Sequence, residues 1–292
     1  MHTNLPPITV DTKLIPLLGT PLRQSFAPQM QNAAYRAIGF DGCYFPIEIG
    51  TDHLGDIVSA LRYMNVPGFA VTKPNKVEIL KYLDELDSLA AIMGACNTVV
   101  NTNGILKGYN TDGEGCVTDL RRHGISIAGS SFFCLGAGGA GKAVCFALAK
   151  HGAAKFQIAD IVGTLAKELA EDLNRNFGSI AAHCNSADEH TLPEMVRASN
   201  VLMNMSGVGM YPHINETWIE KKHLAHKPTC LDATYNPSKT RFLADAEQVG
   251  CKIINGLGMS IYQGALQIKL WTGKSAPIDI MTDEISAILK GR

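Results

Sequence analysis

Short apolar runs alternate along the chain with stretches whose apolar positions recur every three or four residues, the signature of strands alternating with amphipathic helices. "LIPLLG" predicts a strand, "PQMQNAAYRAIG" a helix stopping at Gly39, "CYFPIEI" a second strand, "DHLGDIVSALRYMN" a second helix and "GFAVT" a third strand. "VEILKYLDELDSLAAIMG" predicts one further helix, and "NTVVNTNGILKGYNTDG" a hairpin turning at Asn103-Gly104. The pattern then restarts. "SSFFCLGAGGAGKAVCFALAKHG" reads as strand, glycine turn and helix, "KFQIAD" as the next strand, with further units in "TLAKELAEDLNRNFG", "SNVLMNMS", "TCLDATY" and "KIINGLG". The final segment, "SIYQGALQIKLWTGKSAPIDIMTDEISAILK", is mostly helical with an interruption at Gly273 to Pro277. This order predicts an α/β protein. The clearest cut falls near Gly113 to Gly115, and no solenoid-length repeat or low-complexity linker appears.

A chain of 292 residues suits one large or two medium domains, and two are expected. Lys and Arg number 26 against 27 Asp and Glu, so no strong field points to nucleic acid or an anionic membrane, and a small-molecule partner is expected. The eight cysteines are scattered without a C-x-x-C pair and read as reduced thiols, which favours a cytoplasmic location. Residues 1–20 show neither a basic start nor a long apolar core, and no apolar run reaches membrane-spanning length, so neither signal peptide nor membrane span is expected. His223 and His226 form H-x-x-H with no third ligand at a recognisable spacing, and no metal site is expected.

"LGAGGAGKA" fits G-x-G-x-x-G at Gly136, Gly138 and Gly141, between an apolar strand and a helix. In that context the glycines permit a tight turn, close approach of a pyrophosphate and close helix packing, while the helix start offers amides to the anion. Ala137, Gly139 and Ala140 complete the turn. Asp160 closes the next strand, 24 positions after Gly136, where a dinucleotide fold meets the adenosine ribose. A carboxylate there accepts from ribose hydroxyls, whereas a 2′-phosphate meets like charge. Two unit charges about 4 Å apart repel by roughly 4 kcal/mol at an effective dielectric near 20. NAD is therefore the preferred cofactor, with NADP as the alternative. Helix capping is the competing role for Asp160.

"VTKPNK" carries Lys73 and Lys76 on a turn after a strand. Pro74 holds Lys73 extended, so the turn leaves the strand sharply at its carboxyl end, where ligands of open α/β sheets gather. A lysine partly stripped of water can do acid/base work, and a neighbouring carboxylate couples its titration to that group. Composition does not choose between the two lysines, and both could be solvated turn residues. Asn97 in "GACNTVV" and Asp112 in "GYNTDG" lie at strand edges in the same half and add an amide and a carboxylate, the set a hydroxyl-bearing substrate needs.

Together these stretches resemble the shikimate/quinate dehydrogenase family. "GTPLRQSFAPQMQNAA" is similar to its N-terminal substrate loop, "VTKPNK" to its lysine loop, "GACNTVV" and "GYNTDG" to its next two signatures, "GAGGAGKA" to its cofactor turn, and "YNPSKT" with "GLGMSIYQGA" to its C-terminal ones, in family order over almost the whole chain. The resemblance implies an α/β substrate domain, 1–113 completed by C-terminal helices in 257–292, and a Rossmann-type NAD-binding domain, 114–256, with the active site in the cleft between them. It implies Lys76 and Asp112 as the acid/base pair, with Lys73 a bystander. It places Ser25, Tyr44, Thr72, Asn97 and Gln263 against the ring hydroxyls and carboxylate, and Ala233, Tyr235 and Gly256 beside the cofactor. The implied reaction is reversible oxidation of shikimate or quinate with hydride passing to nicotinamide, and a homodimer is the assembly the resemblance suggests.

Two departures matter. The family's S-x-S or S-x-T pattern, which holds the substrate carboxylate, reads Ser25-Phe26-Ala27 here, and Ala27 has no hydroxyl. The family's Asn-Arg after the second cofactor-domain strand is replaced by Asp160-Ile161, in keeping with NAD. Two rival readings stand beside the first: an NAD-dependent dehydrogenase of the same fold acting on another polyol or hydroxy acid, and a non-enzymatic sensor of dinucleotide and cyclic acid.

Overall fold

In the computed structural model the described residues are 8–23, 25–64 and 66–290; the first seven positions of the N-terminal stretch considered above lie outside them. In chain order the elements are β1 (Lys13–Gly19), α1 (Ala27–Ala37), β2 (Gly42–Glu48), α2 (Leu54–Tyr63), β3 (Gly68–Val71), α3 (Asn75–Glu78), β4 (Glu85–Leu86), α4 (Ser88–Met93), β5 (Thr98–Thr102) and β6 (Ile105–Tyr109). Then come α5 (Asp112–Arg122), β7 (Ser131–Leu135), α6 (Gly139–Lys150), β8 (Lys155–Asp160), α7 (Gly163–Phe177), β9 (Ala181–Asn185), α8 (Thr191–Arg197), β10 (Val201–Asn204), β11 (Thr229–Asp232), α9 (Arg241–Val249) and β12 (Lys252–Ile254). The long α10 (Leu257–Thr272) and α11 (Ile278–Lys290) close the chain. Two compact units result: residues up to Thr111 together with Ile261 onward, and Asp112–Ser260.

In the first unit the sheet runs β2-β1-β3-β5-β6-β4. β1 lies parallel to β2 and β3, while β5 is antiparallel to both β3 and β6, so this sheet is mixed. The β5–β6 hairpin turns through Asn103 and Gly104, both at positive φ, the geometry a two-residue hairpin demands. Leu18, Phe69, Val71 and Val99 pack with Leu54, Val58 and Leu61 of α2 into a core that excludes water. Each such side chain contributes about 1.5–3 kcal/mol by leaving water.

The predicted single helix over 77–94 is not formed. A 3₁₀ turn (Ile79–Tyr82) follows α3, then β4 pairs alongside β6, and α4 starts afresh. Asp84 is the cause: its Oδ2 accepts from the Leu106 amide at 2.7 Å and from Arg62 at 2.6 Å, drawing the segment to the sheet. Asp87 then caps α4, accepting from the Ala90 amide at 2.8 Å. The apolar period ran through this stretch, but two carboxylates broke the helix.

The second unit has a parallel sheet ordered β12-β11-β10-β7-β8-β9, the doubly wound order in which the chain leaves the sheet centre in both directions. β7 is apolar and buried, as a central parallel strand must be. α5 crosses α6 so closely that a Cβ on Gly113 would stand 2.2 Å from the Ala143 carbonyl oxygen. No helix among the described residues is long and apolar enough to cross a membrane.

Candidate active site

In the first unit the lysine turn is fastened by its backbone. The Thr72 amide donates to Leu18 O at 2.9 Å, Thr20 to Lys73 O at 2.9 Å, Asn75 to Thr72 O at 2.9 Å and Cys96 to Lys76 O at 2.8 Å. Buried Asn75 adds a bond from Nδ2 to Ile49 O at 2.9 Å. Gly19 lets the two segments touch, since a Cβ there would lie 2.7 Å from Lys73 O. Lys73 stands exposed and Lys76 half-buried, a distinction that composition alone does not make. Lys76 also acts on its surroundings: burial pushes the Cys96 thiol up to about 12, and the charge of Lys76 pulls the other way.

Asn97 and Gln263 belong to a buried side-chain network. Asn97 Oδ1 accepts from the Thr111 amide and from Thr98 Oγ1, each at 2.8 Å, and Asn97 Nδ2 donates to Thr111 Oγ1 at 3.0 Å. Thr111 Oγ1 reaches Gln263 Oε1 at 3.4 Å. Behind them Gln267 Nε2 donates to Thr98 Oγ1 at 3.0 Å, and Gln31 Nε2 to Gln267 Oε1 at 3.0 Å. Sequence reasoning missed Gln31, Thr98, Thr111 and Gln267. The signal was there for Gln267, four residues after Gln263 and so on the same helix face.

The other expected substrate residues stand differently. Ser25 is half-buried, its Oγ accepting from the Ala27 amide at 3.3 Å. Thr72 is half-buried at the head of the lysine turn. Tyr44 is a core residue, 2% exposed, its ring 6.1 Å from that of Trp271, with burial pushing its phenol far up. Asn32 clamps its backbone, with both bonds at 2.8 Å.

In the second unit the glycine turn joins β7 to α6. Gly136 has φ +100°, and a Cβ there would meet the Ser206 amide nitrogen at 2.6 Å; one on Gly141 would meet Gly136 O at 1.9 Å. Gly138 and Gly139, by contrast, are exposed, with open space where a side chain would project. No side chain caps the start of α6, so its first amides face that space, the fit a dinucleotide pyrophosphate requires. Ala137 is buried beneath the turn and Ala140 half-buried. Asp160 ends β8; its Oδ2 accepts from the Ala137 amide at 2.7 Å and its Oδ1 from the Val162 amide at 2.8 Å. The N-cap of α7 is Val162, so Asp160 is tied to the glycine turn instead of capping that helix.

The ends of β10, β11 and β12 gather beside this turn. Asp232 is fully buried: Oδ1 accepts from the Thr234 amide at 2.9 Å, and Oδ2 from Asn204 Nδ2 at 2.9 Å and Thr240 Oγ1 at 2.7 Å. Despite these donors, burial raises its carboxyl above the ordinary range. Ala233 and Tyr235 follow, both half-buried, and a Cβ on Gly256 would stand 1.8 Å from Ala233 O. Asp112 opens α5, half-buried, as the first residue of this unit.

Residues 17–99 match the family model of the shikimate dehydrogenase substrate binding domain, and residues 256–285 that of the shikimate 5′-dehydrogenase C-terminal domain. A shikimate dehydrogenase (NADP(+)) of Alkaliphilus metalliredigens is 40% identical over 92% of this chain and 94% of that protein. The crystal structure of shikimate 5-dehydrogenase from Listeria monocytogenes in complex with shikimate and NAD is similar with a TM-score of 0.92, at 37% identity over 95% of this chain and 98% of that one. The ligand-free 5-ketofructose reductase of Gluconobacter sp. strain CHM43 is similar with a TM-score of 0.90, at 29% identity over 96% of this chain and all (100%) of that one. With a curated relative at this identity and coverage, the chain belongs to the shikimate dehydrogenase family of oxidoreductases.

Proposed function

We propose that this protein catalyses the reversible oxidation of shikimate to 3-dehydroshikimate, or of quinate to 3-dehydroquinate, with NAD as preferred acceptor. The unit containing Lys76 binds the ring acid and the unit containing Gly136 binds the dinucleotide. The observation that carries the reading is the buried amide network ending in Asn97 and Gln263, because an oriented pair of amides suits a ring bearing several hydroxyls.

When bound, the dinucleotide supplies the nicotinamide carbon that takes the hydride. The chain supplies the rest. Lys76 receives the proton of the hydroxyl being oxidised, and Asp112 acts with it as the second member of the acid/base pair. Thr72, Ser25, Tyr44, Asn97 and Gln263 hold the ring. Gly138, Gly139 and the first amides of α6 receive the pyrophosphate, and Ala233, Tyr235 and Gly256 line the nicotinamide end. Asp160 favours NAD: each carboxylate oxygen has two lone pairs, so one bond to a backbone amide leaves each able to accept from a ribose hydroxyl. The curated relative named for NADP(+) makes the alternative acceptor a definite comparison.

A second reading has its own observation. Ala27 cannot donate where the family pattern places a carboxylate-holding hydroxyl, and a bond to a charged group contributes about 1.5–3 kcal/mol. 5-Ketofructose carries no carboxylate, and its reductase shares this fold. The deciding assay follows reduction of NAD and NADP with shikimate and quinate in parallel, and oxidation of NADH and NADPH with 5-ketofructose. Turnover of a ring acid supports the first reading; turnover of the ketose alone replaces it with the second; saturable binding without turnover leaves a sensor.

A further inference from the structure

In the second unit the chain runs from β7 to β8 and β9 on one side and returns through β10 on the other, so the strand order reverses between β7 and β10. Ligands of open α/β sheets settle outside the carboxyl ends of the strands at such a reversal. One wall of that place is the glycine turn after β7. The other is the loop over 205–209, packed so close that a Cβ on Gly136 would stand 2.6 Å from the Ser206 nitrogen. Ser206 and Gly207 at its crest are exposed. Asn204, at the end of β10, shapes this loop. The Ser206 amide can only donate, so the atom it meets at 3.2 Å is the Asn204 oxygen, and the side-chain flip is fixed. Ser206 Oγ donates to the same oxygen at 2.6 Å and accepts from the Val208 amide at 3.2 Å. Asn204 Nδ2 spends its two protons on Val208 O and on Asp232 Oδ2, each at 2.9 Å.

Asp232 is the register partner of Asn204 across β10 and β11, and with no exposed surface it cannot touch a ligand. Its Oδ2 also accepts from Thr240 Oγ1, and its Oδ1 from the Thr234 amide, with the Thr234 hydroxyl adding to these donors. Thr240 in turn caps α9 and backs the loop, since a Cβ on Gly209 would lie 3.2 Å from its own Cβ. Asp160 stands at the end of β8, on the far side of β7. A dinucleotide whose adenosine ribose meets Asp160 and whose pyrophosphate lies on the glycine turn therefore carries its nicotinamide half toward β10 and β11. We propose that Asp232 is a positioning residue for that half: by holding Asn204 it fixes the loop over 205–209 as the wall opposite the glycine turn. This deepens, and rests on, the reading that the unit binds a dinucleotide.

Asp232→Asn keeps the side-chain shape, but whichever way the new amide turns, its NH₂ group faces a donor, either the Thr234 amide or Asn204 Nδ2. Calorimetric titration compares NAD with ADP-ribose, which lacks the nicotinamide, and NADP with the 2′-phosphate of ADP-ribose. In Asp232→Asn, Kd for the preferred dinucleotide should rise about tenfold, while Kd for its nicotinamide-free counterpart stays within about twofold. Ser206→Ala, at an exposed position, removes only the hydroxyl's bonds and should give a rise of about threefold with the same sparing of the counterpart; it decides the matter where Asp232→Asn does not fold. Equal weakening of both ligands, or unchanged dinucleotide binding, overturns the proposal. Wild-type protein that binds no dinucleotide removes the reading beneath it and the proposal together, whereas binding without turnover of a ring acid removes the catalytic reading alone.

Discussion

Asp160 Oδ2 accepts a hydrogen bond from the amide of Ala137 at 2.7 Å, joining the end of β8 to the glycine turn that starts α6. The carboxylate is thus held at the turn, where the ribose of a dinucleotide binds in folds of this kind. Its charge opposes a 2′-phosphate, and even a heavily screened repulsion of about 1.4 kcal/mol is tenfold in a rate ratio. The kcat/KM for NAD should exceed that for NADP by at least tenfold, and Asp160→Asn should narrow the ratio to about threefold. An unchanged ratio in the variant would remove Asp160 from cofactor selection.

Lys76 is the half-buried lysine of a turn held by four backbone bonds, whereas Lys73 is exposed. Loss of an acid/base group costs about 10²-fold or more in kcat with a smaller effect on KM. Lys76→Ala should show that split, and Lys73→Ala should remain within about twofold of wild type. Steady-state kinetics on both variants checks the assignment, and an unaltered kcat in Lys76→Ala would make this lysine a binding group.

The second unit was legible in the sequence where β7 and β10 are apolar runs and where the turn demands glycine at fixed positions, Gly136 and Gly141 each pressing on backbone; the largely exposed edge strand β9, Ala181–Asn185, has no such run and was not predicted. The hairpin at Asn103-Gly104 was equally plain. What could not be read depended on long-range contacts. Asp84 breaks the expected helix only because Arg62 and Leu106 lie across from it in space, and neither periodicity nor propensity encodes that meeting. Asn97 could be singled out as an amide at a strand edge, yet the glutamines behind its neighbour Thr98 are distant in sequence: Gln267 of α10 donates to Thr98, and Gln31 of α1 donates to Gln267. Composition left Lys73 and Lys76 alike and only the family resemblance singled out Lys76; the fold adds that Lys76 is half-buried while Lys73 is exposed.

Gly256 and Gly113 are contact points, not hinges. A Cβ at 256 would stand 1.8 Å from Ala233 O, and one at 113 would stand 2.2 Å from Ala143 O, in both cases against backbone that cannot rotate away. Overpacking of this kind costs about 1–3 kcal/mol or more. Gly256→Ala and Gly113→Ala should each lower Tm by at least about 3 °C, a shift in keeping with the entropy of unfolding at this size. Gly138→Ala meets open space and should leave Tm unchanged while weakening dinucleotide binding. Calorimetry on the three variants, with NAD titration of the last, separates a glycine's effect on packing from its effect on dinucleotide binding.

Asp232 gives the protein a pH signature of definite sign. Burial raises its carboxyl above the unfolded value, although Thr234, Asn204 and Thr240 all donate to it. Below the ordinary aspartate range near 3.9 the group is protonated in both folded and unfolded chains and contributes no pH dependence. Between that value and the raised folded value, the native state binds the extra proton, so stability falls as pH rises through the window and is level above it. Asp232→Asn removes this component. The difference in unfolding free energy between wild type and Asp232→Asn, measured by urea denaturation from pH 4 to pH 7, should shift against the wild type as pH increases; a difference that moves the other way would mean that the three donors outweigh burial and that the carboxylate is the favoured form in the fold.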